Sequence, residues 1–292
     1  RYTLAGLANN EDCVMAAGLD YGARTHVGLV RSNNEDNFLA DATLGLWLIA
    51  DGMGGHDAGE VASQIVTDSV RQAICNKTAL NDAIFQSHFD VKDAAKRNIG
   101  SPNMGTTIVA LLCKDDRYQV SWVGDSRAYL WDPRKHAIQQ ISKDHSYVQS
   151  LVDAGSISED EMHNHPQKNI ITQSLGVSAL DTVKVDSLYG QWQSGQKILL
   201  CSDGLTDLVS NDEIAHIIRK NQQKSAQDIA DMLVQAALDK GGVDNVTVEI
   251  ISAPTIQQTN TTNGASAKQS FNAALVFCAL GLTAFVSWIL LK

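Results

Sequence analysis

Basic residues are scarce in this 292-residue chain: 23 Lys and Arg stand against 33 Asp and Glu, a formal net charge of −10. Nucleic acid needs a basic footprint to offset phosphate charge and is not expected as a partner. Cysteine is sparse too. Five are scattered at 13, 75, 113, 201 and 278, none in C-x-x-C spacing. Neither a zinc site nor a disulfide framework is expected, and the pattern fits a reducing compartment. Arg1–Asp20 holds no long apolar run, so no secretory signal is expected there. The Gly-rich segment 51–60 lacks the Lys-Ser/Thr ending of a nucleotide P-loop, and its glycines do not have dinucleotide-binding spacing. The composition itself, 44% apolar and 19% charged, is that of a globular protein and excludes a wholly disordered or collagen-like chain.

Charge is unevenly placed. Every acid lies before residue 253, so residues 1–252 carry a net −12. An enzyme this acidic needs metal if it is to handle phosphate. Beyond 252 the composition changes twice. Residues 253–270 are rich in Thr, Asn, Ser and Gln and read as a flexible linker. Phe271 to Leu291 is 21 residues without a charge, flanked by Lys268 and Lys292 and carrying Trp288 near its end. As a helix it spans about 31 Å, against a hydrocarbon core of about 30 Å. A C-terminal transmembrane helix acting as a tail anchor is expected; a buried core helix is the alternative, and no polar face supports it.

Residues 1–252 are expected to form one domain. Short β-rich apolar runs mark strands at Leu46–Ala50, Thr106–Cys113, Tyr118–Val123, Ala128–Trp131, Lys197–Cys201 and Val246–Ile251. Val61, Ile65, Val66, Val70, Ala73 and Ile74 form a helical stripe. Ser210-x-x-Glu213 and Ser225-x-x-Asp228 resemble capping boxes, and Gly241-Gly242 ends the second helix. Strand runs and helix runs are partly segregated, which favours an α+β layered architecture over a doubly wound sheet.

One pattern repeats at the strand ends. Apolar runs lead into Asp51-Gly52, Gly124-Asp125 and Asp203-Gly204, and Asp244 directly precedes the last strand run. Each pair alone is a common turn signal. Four such acids can converge at the end of packed strands, where they repel and must take up protons or cations. Oxygen-only ligands select Mg²⁺ or Mn²⁺ over zinc. Two such ions can lower the pKa of a shared water and aim it at phosphorus. Arg31 offers a fork of donors for phosphate, and Glu35 and Asp36 add carboxylates; a polar turn with a surface ion pair is the plain alternative. Gly52 can offer its carbonyl as a ligand. His56 reads equally as a general acid and as an exposed loop histidine.

Together these residues resemble the metal-dependent Ser/Thr protein phosphatases of the type-2C class, most closely the bacterial branch. The blocks stand in family order: R-S-N-N-E-D at 31–36, D-G-M-G-G-H-D-A-G-E at 51–60, M-G-T-T at 104–107, G-D-S-R at 124–127, K-D-H-S at 143–146, I-T-Q-S-L-G at 171–176, C-S-D-G-L-T-D at 201–207 and G-G-V-D-N-V-T at 241–247. The resemblance covers roughly 22–251. It implies a β-sandwich of two antiparallel sheets flanked by helices, with a binuclear Mg/Mn centre at one end. By resemblance, Asp51, Asp203 and Asp244 are direct ligands with the Gly52 carbonyl. Glu35 and Asp36 hold metal-bound waters, Arg31 binds phosphate, and Asp125 with Asp203 takes a third, weaker ion. Residues 145–175 resemble the family's mobile flap. Eukaryotic relatives carry a histidine directly after the metal-binding Asp-Gly, where this chain has Met53. The His163-x-His165 pair is read as flap structure, and Cys201 as core.

The function implied is hydrolysis of phosphoserine and phosphothreonine on proteins, with direct attack on phosphorus and no phosphoenzyme, reversing a bacterial Ser/Thr kinase. The expected place is the cytoplasmic face of the inner membrane, single-pass, with the catalytic domain in the cytoplasm. An inactive membrane-tethered adaptor that binds phosphoproteins is the rival from another class; it would be expected to have lost metal carboxylates, and none is missing here. A second rival keeps the chemistry but acts on small molecules or on regulators of a partner-switching pathway.

Overall fold

Neighbouring side chains in a strand point to opposite faces, and the apolar run at 46–50 uses both. Leu46 and Leu48 join one buried cluster with Val66, Val70 and Ile84, whereas Trp47 and Ile49 join another with Ile198, Leu200 and Ile251. A strand buried on both faces must lie inside a stack of layers. The computed structural model, which describes residues 19–54, 58–162, 164–177, 179 and 181–254, shows that stack.

In chain order the elements are β1 (Tyr21–His26), β2 (Asp36–Asp41), β3 (Leu46–Met53), α1 (Ala58–Cys75), α2 (Leu80–Lys96), β4 (Gly105–Thr106), β5 (Ile108–Lys114), β6 (Arg117–Val123), β7 (Arg127–Asp132) and β8 (Ala137–Gln140). Next come α3 (Tyr147–Asp153), α4 (Glu159–Met162), β9 (Asp186–Gln191), β10 (Lys197–Cys201), α5 (Asp203–Thr206), α6 (Asn211–Lys220), α7 (Ala226–Asp239) and β11 (Val246–Ser252). One sheet runs β1-β11-β10-β7-β8; the other runs β2-β3-β5-β6-β9, with β4 paired to β3. Every strand pairing is antiparallel.

Three buried clusters define the layers. The first lies between the second sheet and the helices α1 and α2. The second lies between the first sheet and α6 and α7, where Val246, Val248 and Ile250 meet Ile229 and Leu233. The third fills the space between the sheets with Trp47, Val109, Trp122, Trp192 and Ile198. The α+β sandwich flanked by helices is therefore present. Cys201 is a buried strand residue whose thiol is pushed up to about 12 by burial, in keeping with its reading as core.

Local signals hold unequally. Ser210 and Glu213 form a reciprocal capping box at the start of α6. Ser225 caps α7 by accepting from the Asp228 amide at 3.1 Å and donating to Asp228 Oδ2 at 2.8 Å. The chain divides after Ile256, and all described residues belong to the first unit. The expected anchor at 271–291 and nearly all of the expected linker lie outside the described residues; among those described, no helix is long and apolar enough to cross a membrane.

Candidate metal centre

The two sheets present their acids at one end. Asp36 opens β2 directly opposite Asp51 near the end of β3. In such a cross-strand pair the Cβ atoms stand about 5 Å apart on one face. Asp203 is the first residue of α5, just after β10, and Asp244 precedes β11. Asp125 sits in the turn between β6 and β7. Strand ends from both sheets thus supply the cluster.

Hydroxyl groups weld these ends together. The Asp51 amide donates to Thr107 Oγ1 at 3.1 Å, and the Asp51 carbonyl accepts from the Thr106 hydroxyl and the Thr107 amide, each at 2.9 Å. Thr107 Oγ1 also meets Ser126 Oγ at 2.7 Å, which ties the Asp125 turn to the end of β3. Asp36 Oδ2 accepts from Ser202 Oγ at 2.9 Å and Thr247 Oγ1 at 2.6 Å, both from the ends of inner strands of the opposite sheet. Asn245 donates to the carbonyls of Val27 and Asn33 and accepts from the Glu35 amide, so the Arg31 loop is pinned beside Asp244.

Gly52 has a steric requirement of its own. A Cβ there would stand 2.2 Å from the Gly59 carbonyl oxygen and 2.6 Å from that of Glu35, so only glycine lets the start of α1 and the Glu35 backbone close on this strand end. The Glu35 carbonyl receives the Gly52 amide at 3.2 Å and Ser63 Oγ at 2.7 Å.

Burial and mutual repulsion dominate the electrostatics. Burial pushes Asp36 up to about 7, helped by Asp203 and Asp244 and resisted by the Thr247 and Ser202 hydroxyls. Asp125 is pushed up to about 8 by burial, then by Asp203 and Asp144. Asp203 rises to about 6 through burial, Asp207 and Asp244. Asp51 rises well above the usual range through burial and the charges of Asp36, Asp203, Asp125 and Asp244. Acids held in this way must bind protons or cations.

The donor set tests which cation fits. Every candidate ligand atom is oxygen, which suits Mg²⁺ or Mn²⁺. Asp36 Oδ1 and Asp125 Oδ1 are buried without a hydrogen-bond partner, an arrangement a cation relieves. Among the described residues no three His, Cys, Asp or Glu side chains stand as a finished cage. The fit rests on the donor chemistry and on the two orphaned oxygens.

Arg31 is exposed and donates from Nη2 to Asp244 Oδ2 at 2.8 Å. Glu35 is half-buried at the cluster's edge. A cavity of about 30 Å³ opens beside the cluster, lined by Asp125, Asp203, Arg127, Asp144, Lys168 and Asp207 among others. Arg127 meets Asp144 through Nε at 3.0 Å and Nη2 at 2.7 Å, both side chains largely buried.

His56 and His163 lie outside the described residues. His165 Nδ1 accepts from the Gln167 amide and its ring lies near Tyr147, so it serves the structure of the 145–175 segment. The residues that sequence reasoning left without a role are Thr107, Ser126, His145, Ser202, Asn245 and Thr247. Most sit inside the recognised blocks, one to three residues from an acid. His145 Nδ1 accepts from the Gly124 amide at 3.1 Å, while its Nε2 meets Asp186 Oδ2, also at 3.1 Å.

Comparison with known proteins agrees with this fold. The model of the family described as protein phosphatase 2C matches residues 29–240. The serine/threonine phosphatase Stp of Listeria monocytogenes is 35% identical over 248 residues, covering 80% of this chain and 96% of the relative. The crystal structure of the Mycobacterium tuberculosis serine/threonine phosphatase PstP/Ppp superposes with a TM-score of 0.73 at 36% identity, covering 81% of this chain and 99% of that one. The catalytic domain of PstP in complex with two manganese ions superposes with a TM-score of 0.71 at 35% identity, covering 80% and 98%.

Proposed function

The chain belongs to the protein phosphatase 2C family, and from that premise we propose how its residues divide the work. It is a metal-dependent protein-serine/threonine phosphatase with a two-ion Mn²⁺ or Mg²⁺ centre. The observation that carries this reading is the cluster of Asp36 and Asp125, which are buried, with Asp51, Asp203 and Asp244, which are partly exposed, beside an exposed Arg31.

Asp51, Asp203 and Asp244, with the Gly52 carbonyl, would hold the two ions; Glu35 and Asp36 support them. When bound, the ions supply Lewis acidity and a water of lowered pKa. Arg31 grips and orients the phosphoryl group: its contact with Asp244 uses Nη2, and the guanidinium has further donors to give. Its fixed positive charge offsets charge developing on the phosphoryl oxygens. Asp125 and Asp203, across the 30 Å³ cavity, are suited to a third and weaker ion. The inactive-adaptor reading is disfavoured because every expected acid is present.

The substrates we propose are phosphorylated proteins, among them a bacterial Ser/Thr kinase and its targets. The uncharged stretch at 271–291 supports a single-pass anchor in the inner membrane with the catalytic unit in the cytoplasm. Tethering would raise the effective concentration against membrane-bound kinases.

The test uses the full-length chain stripped of metal, assayed on p-nitrophenyl phosphate and a phosphothreonine peptide with and without Mn²⁺. Activity that Mn²⁺ restores and Asp203→Asn abolishes supports the reading; a folded protein silent with every divalent ion sinks it. Deleting 271–292 should leave turnover of p-nitrophenyl phosphate intact and release the protein from membranes on fractionation.

A further inference from the structure

Three apolar side chains stand out in water beside the phosphate-binding arginine. Leu29 is 64% exposed, Val30 69% and Val243 49%. Leu29 and Val30 directly precede Arg31, and Val243 directly precedes Asp244. Single exposed apolar residues are ordinary. These three share two loops that meet at the one surface where a phosphoryl group is expected.

The loops are joined in a fixed arrangement. The Leu29 amide donates to the Gly242 carbonyl at 2.7 Å. Gly28 has φ +84°, and a Cβ there would stand 2.3 Å from the Asp244 carbonyl oxygen, so the backbones touch. Arg31 reaches Asp244 at 2.8 Å, and Asn245 holds Val27 and Asn33 from below. Apolar side chains on a backbone fixed this firmly need little ordering when a partner covers them.

We propose that Leu29, Val30 and Val243 form a docking patch for apolar side chains that flank the phosphoresidue of a protein substrate. The inference rests on the phosphatase reading and names the substrate class of that same site. Continuity with Arg31 selects this occupant. An extended substrate advances about 3.3 Å per residue. Residues one and two positions from a phosphoresidue seated on Arg31 therefore land within about 7 Å of it, and Val30 and Leu29 directly precede Arg31 while Val243 directly precedes its partner Asp244. Glu35, Asp203 and Asp244 act electrostatically on Arg31, so the surroundings disfavour acidic flanks.

The experiment compares phosphothreonine peptides identical except for Leu, Gly or Asp at the flanking positions, using the Mn²⁺-loaded full-length protein. Expected is a KM about tenfold lower for Leu flanks than for Gly flanks, with kcat little changed. The triple variant Leu29→Ser/Val30→Ser/Val243→Ser, checked for folding by circular dichroism, should lose that preference and keep its kcat on the Gly-flanked peptide. The variant Leu29→Met/Val30→Ile/Val243→Ile should keep the preference. Equal KM for Leu and Gly flanks, or a preference that survives the triple serine variant, overturns the inference while leaving the phosphatase reading intact. A wild type that is dimeric by light scattering, with a monomeric serine variant and flat peptide preference, assigns the patch to copy–copy contact and overturns it too. A wild type that hydrolyses neither p-nitrophenyl phosphate nor any peptide with Mn²⁺ removes the phosphatase reading and the inference with it.

Discussion

Asp36 and Thr247 join the two sheets at the metal end: the Thr247 hydroxyl of β11 donates to Asp36 Oδ2 of β2 at 2.6 Å. Ser202, the residue after β10, donates to the same oxygen. The other oxygen, Oδ1, is buried and unpartnered. The two hydroxyls therefore fix which oxygen of Asp36 is left for a cation or its waters, and they hold the carboxylate's ionised form against burial.

Thr247→Val keeps the shape and removes the donor. Hydrogen bonds to charged groups contribute about 1.5–3 kcal/mol, so the Mn²⁺ concentration for half-maximal activity should rise by roughly tenfold or more. At a fixed excess of Mn²⁺ the urea midpoint should fall with it, by about 1.4 kcal/mol of stability for each tenfold loss of affinity. An unaltered Mn²⁺ titration would show that Asp36 does not act on the centre through Oδ1.

Metal-free protein should lose stability as pH rises. Asp36, Asp125 and Asp203 hold protons in the fold up to about 7, 8 and 6, whereas the ordinary value is 3.8. Between pH 4 and 8 the unfolded chain therefore binds fewer protons than the folded one, and the stabilisation present at the acid end fades across that window. The melting temperature of chelated protein should fall from pH 5 to pH 8. A fixed Mn²⁺ concentration should restore it most strongly at pH 8, where the deprotonated acids bind the ion more tightly; the gain is about 2.7 kcal/mol wherever that concentration reaches a hundredfold excess over Kd. A flat profile in chelator would mean that the acids do not share this environment.

Glu249 presents the same physics away from the site. It lies in the middle of β11, fully buried, with neither carboxylate oxygen hydrogen-bonded. Burial alone pushes its pKa well above the carboxylate range. Glu249→Met preserves the bulk and removes the orphaned oxygens, so stability should increase by about 1–3 kcal/mol. The gain should be larger at pH 8 than at pH 5, because the unfolded wild type gains its charge above about pH 4.5. Urea midpoints at the two pH values decide it: a loss at both would mean that Glu249 has a role in packing which methionine cannot fill.

How much of this was legible depends on what each residue's signal required. The run at 197–201 matches β10 to the residue because a strand buried on both faces is a near-continuous apolar run, here Ile198–Cys201 behind a buried Lys197. β1, β2, β8 and β9 were not expected; they alternate with polar or charged residues and are only half-buried. α2 is also absent from the expected helices, although Leu80, Ala83, Ile84, Ser87, Val91 and Ala94 fall at helical spacing. The acids could be named because aspartate at a strand end is local. Thr247 and Ser202 could not, because their partner Asp36 lies 211 and 166 residues away. A hydroxyl acquires such a role only through the topology that brings the strands together.

Besides its backbone links at His145 and Leu175, the 145–175 segment meets the acid cluster through an ion pair whose two halves should act in opposite senses. Lys168 Nζ meets Asp207 Oδ1 at 3.0 Å across the cavity that Asp125 and Asp203 line. Asp207 is one turn beyond Asp203, and its charge is the second cause, after burial, of the rise at Asp203. Lys168→Met removes a cation and leaves Asp207 unpaired, so the cavity becomes more negative and Mn²⁺ should bind more tightly. Asp207→Asn removes an anion and leaves the lysine, so Mn²⁺ should bind more weakly. Both side chains are about one-third exposed, and pairs of that kind are screened, so each shift should be only about two- to fivefold. Amide exchange in 160–170 should quicken in both variants alike, because each breaks the same tether. Mn²⁺ titrations that move in the same direction would show that the pair acts only by holding the segment, without an electrostatic effect on the ions.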